Sequence, residues 1–155
     1  MKERPILFSG PMVCAILEGR KTQTRRVVKF QRGFNEKGNV RVSGDMWQVS
    51  AGQYNVWSDP FSCPYGVAGD RLWVRETWAP SVRASRLTLE ITDVRVERLQ
   101  SISEDDAKAE GVDEMCVLPG DQGSFIQPYA ALWESINPGS WNANPWVWVV
   151  EFKQI

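Results

Sequence analysis

The sequence predicts an α+β fold, a small mixed β-barrel with short flanking helices, formed by a single domain that spans residues 1–155. Short apolar or alternating runs that are typical of strands recur along the chain, whereas few stretches have helical spacing. No internal repeat or linker divides the chain, and 155 residues are enough for one hydrophobic core. Short strands that outnumber helices favour a barrel closed by helices.

The N-terminal elements are predicted to be a strand, a helix and a second strand. Residues 5–8 form a short apolar run, which favours a strand. A helix follows, because Ser9 is typical of an N-cap and Gly19 of a left-handed C-terminal cap. A strand is expected after Thr24. Apolar residues with the spacing of one buried helix face lie between the two caps: Val13, Ile16 and Leu17.

The later elements are predicted from alternation, capping residues and turn residues. Ser103 opens a capping box, and Gly111 ends the helix that follows it. A second amphipathic helix has Pro128 near its start and is stopped by the Asn-Pro-Gly turn at residues 137–139. The predicted elements are strands near residues 40–42, 47–49, 54–57, 71–78 and 87–99, helices at 103–111 and 128–136, and a strand at 146–152.

Charge is unevenly distributed along a chain whose formal net charge is −1. Six Lys or Arg and no acid lie from Arg20 to Arg32, and six acids lie from Asp93 to Glu110. The overall charge therefore does not favour nucleic acid as a partner, but a local basic face is expected.

Several function classes are excluded by composition. The chain has no His, so a general base must be Lys, Asp, Glu, Tyr or a terminus. The three Cys lie far apart and are odd in number, so we expect no disulfide framework, no metal site and a reducing, cytoplasmic compartment. No cofactor is expected. No apolar run approaches the ~20 residues that span a bilayer, so we expect no membrane partner.

Lys21 and Thr24 form the pair with the clearest chemical potential. A Thr hydroxyl becomes a nucleophile when a neighbouring base takes its proton, and Lys can do so only as a neutral amine. Neighbouring arginines and burial would lower the pKa of Lys21. Glu76, if nearby, would oppose that shift but could orient the amine or relay a proton. Arg26 could hold an anionic or carbonyl group of a substrate.

A purely structural interpretation of the same residues stays open. A basic turn after a helix is favoured by the helix dipole and is usually solvated surface. Glu76 would then be half of a surface ion pair, and Trp73 and Trp78 would be core residues rather than platforms for stacking bases.

Two blocks of the sequence resemble the ASCH domain, a small β-barrel related to the PUA RNA-binding fold. The first is Gly19-x-Lys21-x-x-Thr24-x-Arg26, and the second runs from Gly69 to Trp78 with the sequence GDRLWVRETW. The resemblance covers nearly the whole chain, and its later part, from Leu89 to the final strand, resembles ASCH proteins found in phages and prophages. Those relatives generally carry a longer insertion after the second block. Here only about ten residues separate it from the strand that begins near Leu87.

The resemblance implies a function and a set of site residues. Small bacterial ASCH proteins include amidohydrolases that remove the acetyl group of N4-acetylcytidine, and the motifs carry their catalytic set onto Lys21, Thr24 and Glu76. Substrate-binding roles are expected for Arg20, Arg26, Trp73 and Trp78.

Other ASCH and PUA-like domains are regarded as RNA binders, and some ASCH proteins are reported to cut RNA. The leading hypothesis is therefore an amidohydrolase that acts on an acylated nucleoside. The alternative is an RNA-binding or RNA-processing module that holds single-stranded RNA in the same basic cleft. A base needs Lys21 enclosed and neutral, whereas a phosphate contact needs Lys21 charged and accessible. The amidohydrolase hypothesis also requires Lys21, Thr24 and Glu76 to converge in one cleft.

Overall fold

The computed structural model describes residues 1–29, 38–51, 56–76, 85, 87–112 and 123–155. Eight strands and four helices lie within these ranges, together with one 3-10 turn at Leu99–Ser101. In chain order they are β1 (Glu3–Leu7), α1 (Gly10–Leu17), β2 (Gln23–Val27), β3 (Val40–Ser43), β4 (Met46–Ala51), β5 (Val56–Trp57), β6 (Arg71–Arg75), β7 (Thr88–Arg98), α2 (Glu104–Ala109), α3 (Ile126–Ile136), α4 (Ser140–Ala143) and β8 (Trp146–Gln154).

The larger sheet has five strands in the order β1-β6-β7-β8-β2. β1 runs parallel to β6, and every other pairing in this sheet is antiparallel. β7 and β8 are the longest strands, and their register shifts between Ile91 and Asp93. β2, the strand that contains Thr24 and Arg26, is therefore an edge strand.

The smaller sheet contains β3, β4 and β5. Trp47 of β4 and Phe61 pack edge-on against Trp148 of β8, with ring centroids 5.7 and 5.5 Å apart. The α+β prediction is confirmed, but the described strands form two sheets and no closed barrel. The two edge strands of the larger sheet are joined by a side chain instead of a backbone ladder, since Arg26 Nη2 donates to Leu7 O at 2.7 Å.

β8 is buried on both faces, which explains its nearly continuous apolar sequence. Trp146, Trp148, Val150 and Phe152 belong to the core cluster that includes α1 and most of the larger sheet. Val147 and Val149 instead pack with residues of α2 and α3, among them Ala107, Tyr129 and Trp133. β8 therefore separates two hydrophobic clusters and anchors β2 between them.

Most of the predicted helix boundaries agree with the structure. Gly19 has a positive φ of 76° after α1, and the Ser103 side chain accepts from Asp106 N at the start of α2. Ser9 precedes α1 but makes no side-chain capping bond. The short helix α4 is not predicted by the sequence pattern. The strand predicted at 71–78 is observed as β6 over Arg71–Arg75. Its last two predicted positions, 77 and 78, lie outside the described residues.

Two further observations concern the membrane and the cysteines. Within the described residues, no helix is long and apolar enough to cross a membrane. Cys14 is exposed and Cys63 is buried, and both are free thiols, whereas Cys116 lies outside the described part of the chain.

Candidate active site

The end of α1 positions Lys21 through the backbone. After Gly19, the amides of Arg20 and Lys21 both donate to Ala15 O, at 2.9 and 3.0 Å. Lys21 then forms an isolated antiparallel bridge with Glu110, just beyond α2, and Thr22 N donates to Ala109 O at 2.9 Å. The chain from 20 to 22 is thus fixed between two helices before β2 begins.

The Lys21 amine is enclosed and fully hydrogen-bonded. Nζ donates to Gln23 O at 2.9 Å, to Glu110 O at 2.8 Å and to Glu110 Oε2 at 3.0 Å. Its side chain is only 1% exposed. Three acceptors match the three N–H groups of an ammonium, so the arrangement holds the amine in one place.

Burial is the largest influence on the pKa of Lys21 and lowers it below the usual value for a lysine. The carboxylate of Glu110 opposes this shift, both by its charge and by its hydrogen bond. The positive charges of Arg26 and Arg25 lower the pKa further. Lys21 therefore loses its proton more readily here than a solvated lysine does.

Glu110 connects Lys21 to a network of charges on the α2 side of β2. Its second oxygen, Oε1, lies 3.3 Å from Arg25 Nη1. Arg25 Nη2 also pairs with Asp106 at 3.0 Å and Glu97 at 3.2 Å. Arg95 extends the network outward by contacts with Glu97, Asp106, Asp93 and Glu151.

Lys21, Thr24 and Arg26 line one cavity of about 350 Å³. The cavity lies along β2, and its walls come from the end of β1, the start of α1 and α3. Its other lining residues are Leu7, Ser9, Met12, Arg25, Val27, Tyr65, Glu110, Tyr129, Leu132, Trp133, Ile136 and Asn137.

Arg26 brings a cation to this cavity without a carboxylate partner among the described residues. Its guanidinium lies 5.3 Å from the centroid of the Phe8 ring, and Nη2 donates to Leu7 O. Its Nε is buried and has no hydrogen-bond partner in the described structure. Arg25, in contrast, is neutralised by three carboxylates. Arg26 is therefore the cation that is available to an oxyanion or carbonyl in the cavity.

The cavity has a polar floor and an apolar mouth. Large apolar side chains at its rim are exposed to solvent, namely Leu7, Val27, Leu132 and Ile136. Tyr129 and Trp133 of α3 are buried beneath them. A ligand with an apolar part and a polar reacting group fits such a gradient.

Glu76 is buried directly after β6, but it is not among the residues that line the cavity. Phe8 contacts the residue that precedes Glu76 and also lies close to Lys21. Its amide donates to the carbonyl of Arg75, and its ring centroid is 5.6 Å from Lys21 Nζ. Phe8 thus contacts both the residue before Glu76 and the surroundings of Lys21, and the convergence of Lys21, Thr24 and Glu76 in one cleft stays a prediction.

The remaining predicted site residues fall elsewhere. Arg20 is exposed and bonds to Glu18 and to Gly111 O, and it does not line the cavity. Trp73 is half-buried on β6 and does not line it either. Trp78 and the short segment that follows it to residue 84 lie outside the described residues.

Glu110 is the site residue that the sequence reasoning missed. It lies 89 positions from Lys21 in the chain, and no motif links the two. A signal was present, because the acid-rich stretch that ends at Glu110 has the charge opposite to the basic stretch that begins at Arg20. Within the described residues, no group of three His, Cys, Asp or Glu side chains could hold a metal ion.

No protein-family model matches the sequence, and no curated protein matches it either. Solved structures do. The ASCH domain from Lactobacillus crispatus JV V101 aligns with 99% of this chain and 79% of its own, at 16% identity and a TM-score of 0.53. The hypothetical protein PH0355 aligns over 100% of both chains, at 11% identity and a TM-score of 0.53. The chain therefore has the fold of an ASCH domain.

Proposed function

We propose that this chain hydrolyses the amide of an acylated nucleoside such as N4-acetylcytidine, with Thr24 as nucleophile and Lys21 as base. The observation that carries the proposal is that Lys21 and Thr24 line one cavity in which the amine is shielded from water. A cavity of about 350 Å³ is within the range of small-molecule sites.

As an ammonium, Lys21 donates to all three acceptors, so it must lose a proton before it can act as a base. Glu110 Oε2, at 3.0 Å, is within reach of that proton. Transfer to Glu110 would convert a buried ion pair into a neutral pair, and burial favours the neutral form of Lys21. The other oxygen of Glu110, Oε1, lies 3.3 Å from Arg25 Nη1.

The reaction then proceeds by acyl transfer in two steps. Thr24 Oγ attacks the amide carbon and gives its proton to Lys21, the C–N bond breaks, and the proton passes to the leaving amine. Water then hydrolyses the threonine ester, and the carboxylate leaves. The Arg26 guanidinium stabilises the negative charge that develops on the carbonyl oxygen in both steps. The resemblance gives Glu76 a supporting role, in which its carboxylate orients the amine of Lys21 or relays a proton.

The RNA-binding alternative has less support from the geometry. A phosphate contact requires a charged and accessible cation. Lys21 and Arg25 have almost no exposed side chain, and Arg26 is half-buried. Two other basic residues of the stretch, Arg20 and Lys29, are exposed, whereas Arg32 lies outside the described residues.

The direct test is an activity screen of the purified chain. The substrates are N4-acetylcytidine, other acylated nucleosides and a short RNA that contains the same acetylated base, and chromatography measures the released nucleoside. We expect hydrolysis of at least one free acylated nucleoside, with the RNA a poorer substrate. A chain that hydrolyses none of these amides contradicts the proposal.

A further inference from the structure

The register of β2 shows which of its backbone groups face away from the sheet. Phe152 N donates to Thr22 O, and Val28 N donates to Trp146 O. In an antiparallel pair, hydrogen-bonded and non-hydrogen-bonded residues alternate. The residues of β2 that bond to β8 are therefore at positions 24 and 26, and the N–H and C=O groups of positions 23, 25 and 27 point to the outer edge.

Among the residues that the structure describes, only the first of these outward positions has a hydrogen-bond partner. Gln23 O accepts from Lys21 Nζ, which confirms the direction deduced from the register. In the described structure no strand pairs with the outer edge of β2. The outward backbone N–H and C=O groups of Arg25 and Val27 have no hydrogen-bond partner there.

The outer edge of β2 opens onto the cavity. Arg25 and Val27 both line it. Arg25 is 3% exposed as a residue, but its side chain is 0% exposed, so the part that remains accessible is backbone. Leu132 and Ile136 of α3 and Leu7 of β1 contribute apolar side chains beside it. A flat ring placed there would have apolar contacts at its faces and backbone groups at its edge.

We propose that this free edge recognises the base of the substrate, with Arg25 C=O and Val27 N–H as the hydrogen-bonding pair. The ligand class is a planar heterocycle that presents an N–H donor beside a ring-nitrogen acceptor. The inference rests on the proposed amidohydrolase function. N4-Acylated cytosine has this arrangement, because its N4–H can donate to Arg25 O and its N3 can accept from Val27 N. Since consecutive residues of a strand are ~3.3 Å apart, this mode also places the acyl group next to Thr24.

The test removes the same hydrogen bond from each side. Val27→Pro deletes the N–H, and proline is tolerated at an edge-strand position whose N–H faces outward. Val27→Ala is the matched control, because it shortens the side chain and keeps the N–H. A 3-deaza analogue of N4-acetylcytidine lacks the ring acceptor. For each variant, kcat/KM is measured with both substrates, and circular dichroism checks the fold.

The selectivity of each protein is its kcat/KM for N4-acetylcytidine divided by its kcat/KM for the deaza analogue. In wild type and in Val27→Ala, this ratio should be about fivefold to tenfold larger than in Val27→Pro. The difference in intrinsic reactivity between the two amides cancels in that comparison. An equal ratio in all three proteins overturns the inference while leaving the hydrolysis intact. If Val27→Pro does not fold, equal KM values for the two substrates in wild type overturn it. Absence of hydrolysis in wild type overturns the proposed function and this inference together.

Discussion

Lys21 is held by three oxygens in a place with almost no access to water. A guanidinium stays protonated in proteins, so an arginine at this position cannot supply a neutral amine. We therefore expect Lys21→Arg to be as inactive as Lys21→Ala, measured by release of cytidine from N4-acetylcytidine. Circular dichroism serves as the folding control. A Lys21→Arg protein with more than a few per cent of the wild-type rate would rule out the role of Lys21 as base.

Removal of the Glu110 carboxylate should change the pH dependence of the hydrolysis. That carboxylate raises the pKa of Lys21, so Glu110→Gln should lower that pKa further and keep more of the amine neutral at low pH. The acidic limb of kcat/KM should therefore move to lower pH. The maximum rate should fall, because the amide of Gln cannot accept the proton of Lys21.

Glu151→Gln is the control for this prediction, because Glu151 contacts Arg95 at the outer end of the same network and not Lys21. Its acidic limb should coincide with that of the wild type. An unchanged acidic limb in Glu110→Gln would show that Glu110 does not set the protonation of Lys21.

At the scale of elements, the packing of α2 against the start of β2 depends on a glycine. Gly111 has a φ of +86°, and a Cβ there would lie 2.8 Å from Lys21 Cβ and 3.1 Å from Ala15 Cβ. Gly111→Ala should therefore displace Lys21, reduce activity by at least tenfold and lower the free energy of unfolding by ~1–3 kcal/mol. Activity assays and urea denaturation measure the two effects.

Gly69→Ala is matched to Gly111→Ala in backbone strain, since Gly69 has a φ of +89° and open space around it. It should lose stability from the backbone alone and retain the activity of the wild type. Equal activity in the two variants would contradict the account of how Lys21 is positioned.

The elements were predictable from the sequence where local signals are strong. β8 has a long apolar run, α2 has the Ser103 cap, and α1 is bounded by Gly19. α4 was missed because it has only four residues, and its N-terminal amides are satisfied by the Glu134 side chain rather than by a local cap. Sheet order and the Lys21–Glu110 contact were not predictable, because they join residues far apart in the chain.

For the whole molecule, burial decides how much of the basic stretch can act on an outside partner. Among the described residues from 20 to 29, Arg20 and Lys29 are the exposed cations. Binding to single-stranded RNA should therefore be weak. Its affinity should fall with salt with a log–log slope of only about −1.4, from roughly −0.7 for each of two phosphates. Fluorescence anisotropy at several salt concentrations measures it. A slope several times steeper would favour the RNA-binding alternative.

The most direct test of the central claim compares three proteins in one assay. Thr24→Ser keeps a hydroxyl and should retain partial hydrolysis of N4-acetylcytidine, whereas Thr24→Val keeps the branched shape, lacks the hydroxyl and should abolish turnover. Circular dichroism and the melting temperature check that both variants fold. Loss of activity in Thr24→Val alone is the result that the account predicts. Thr24→Val with a rate near that of the wild type would contradict the assignment of Thr24 as nucleophile.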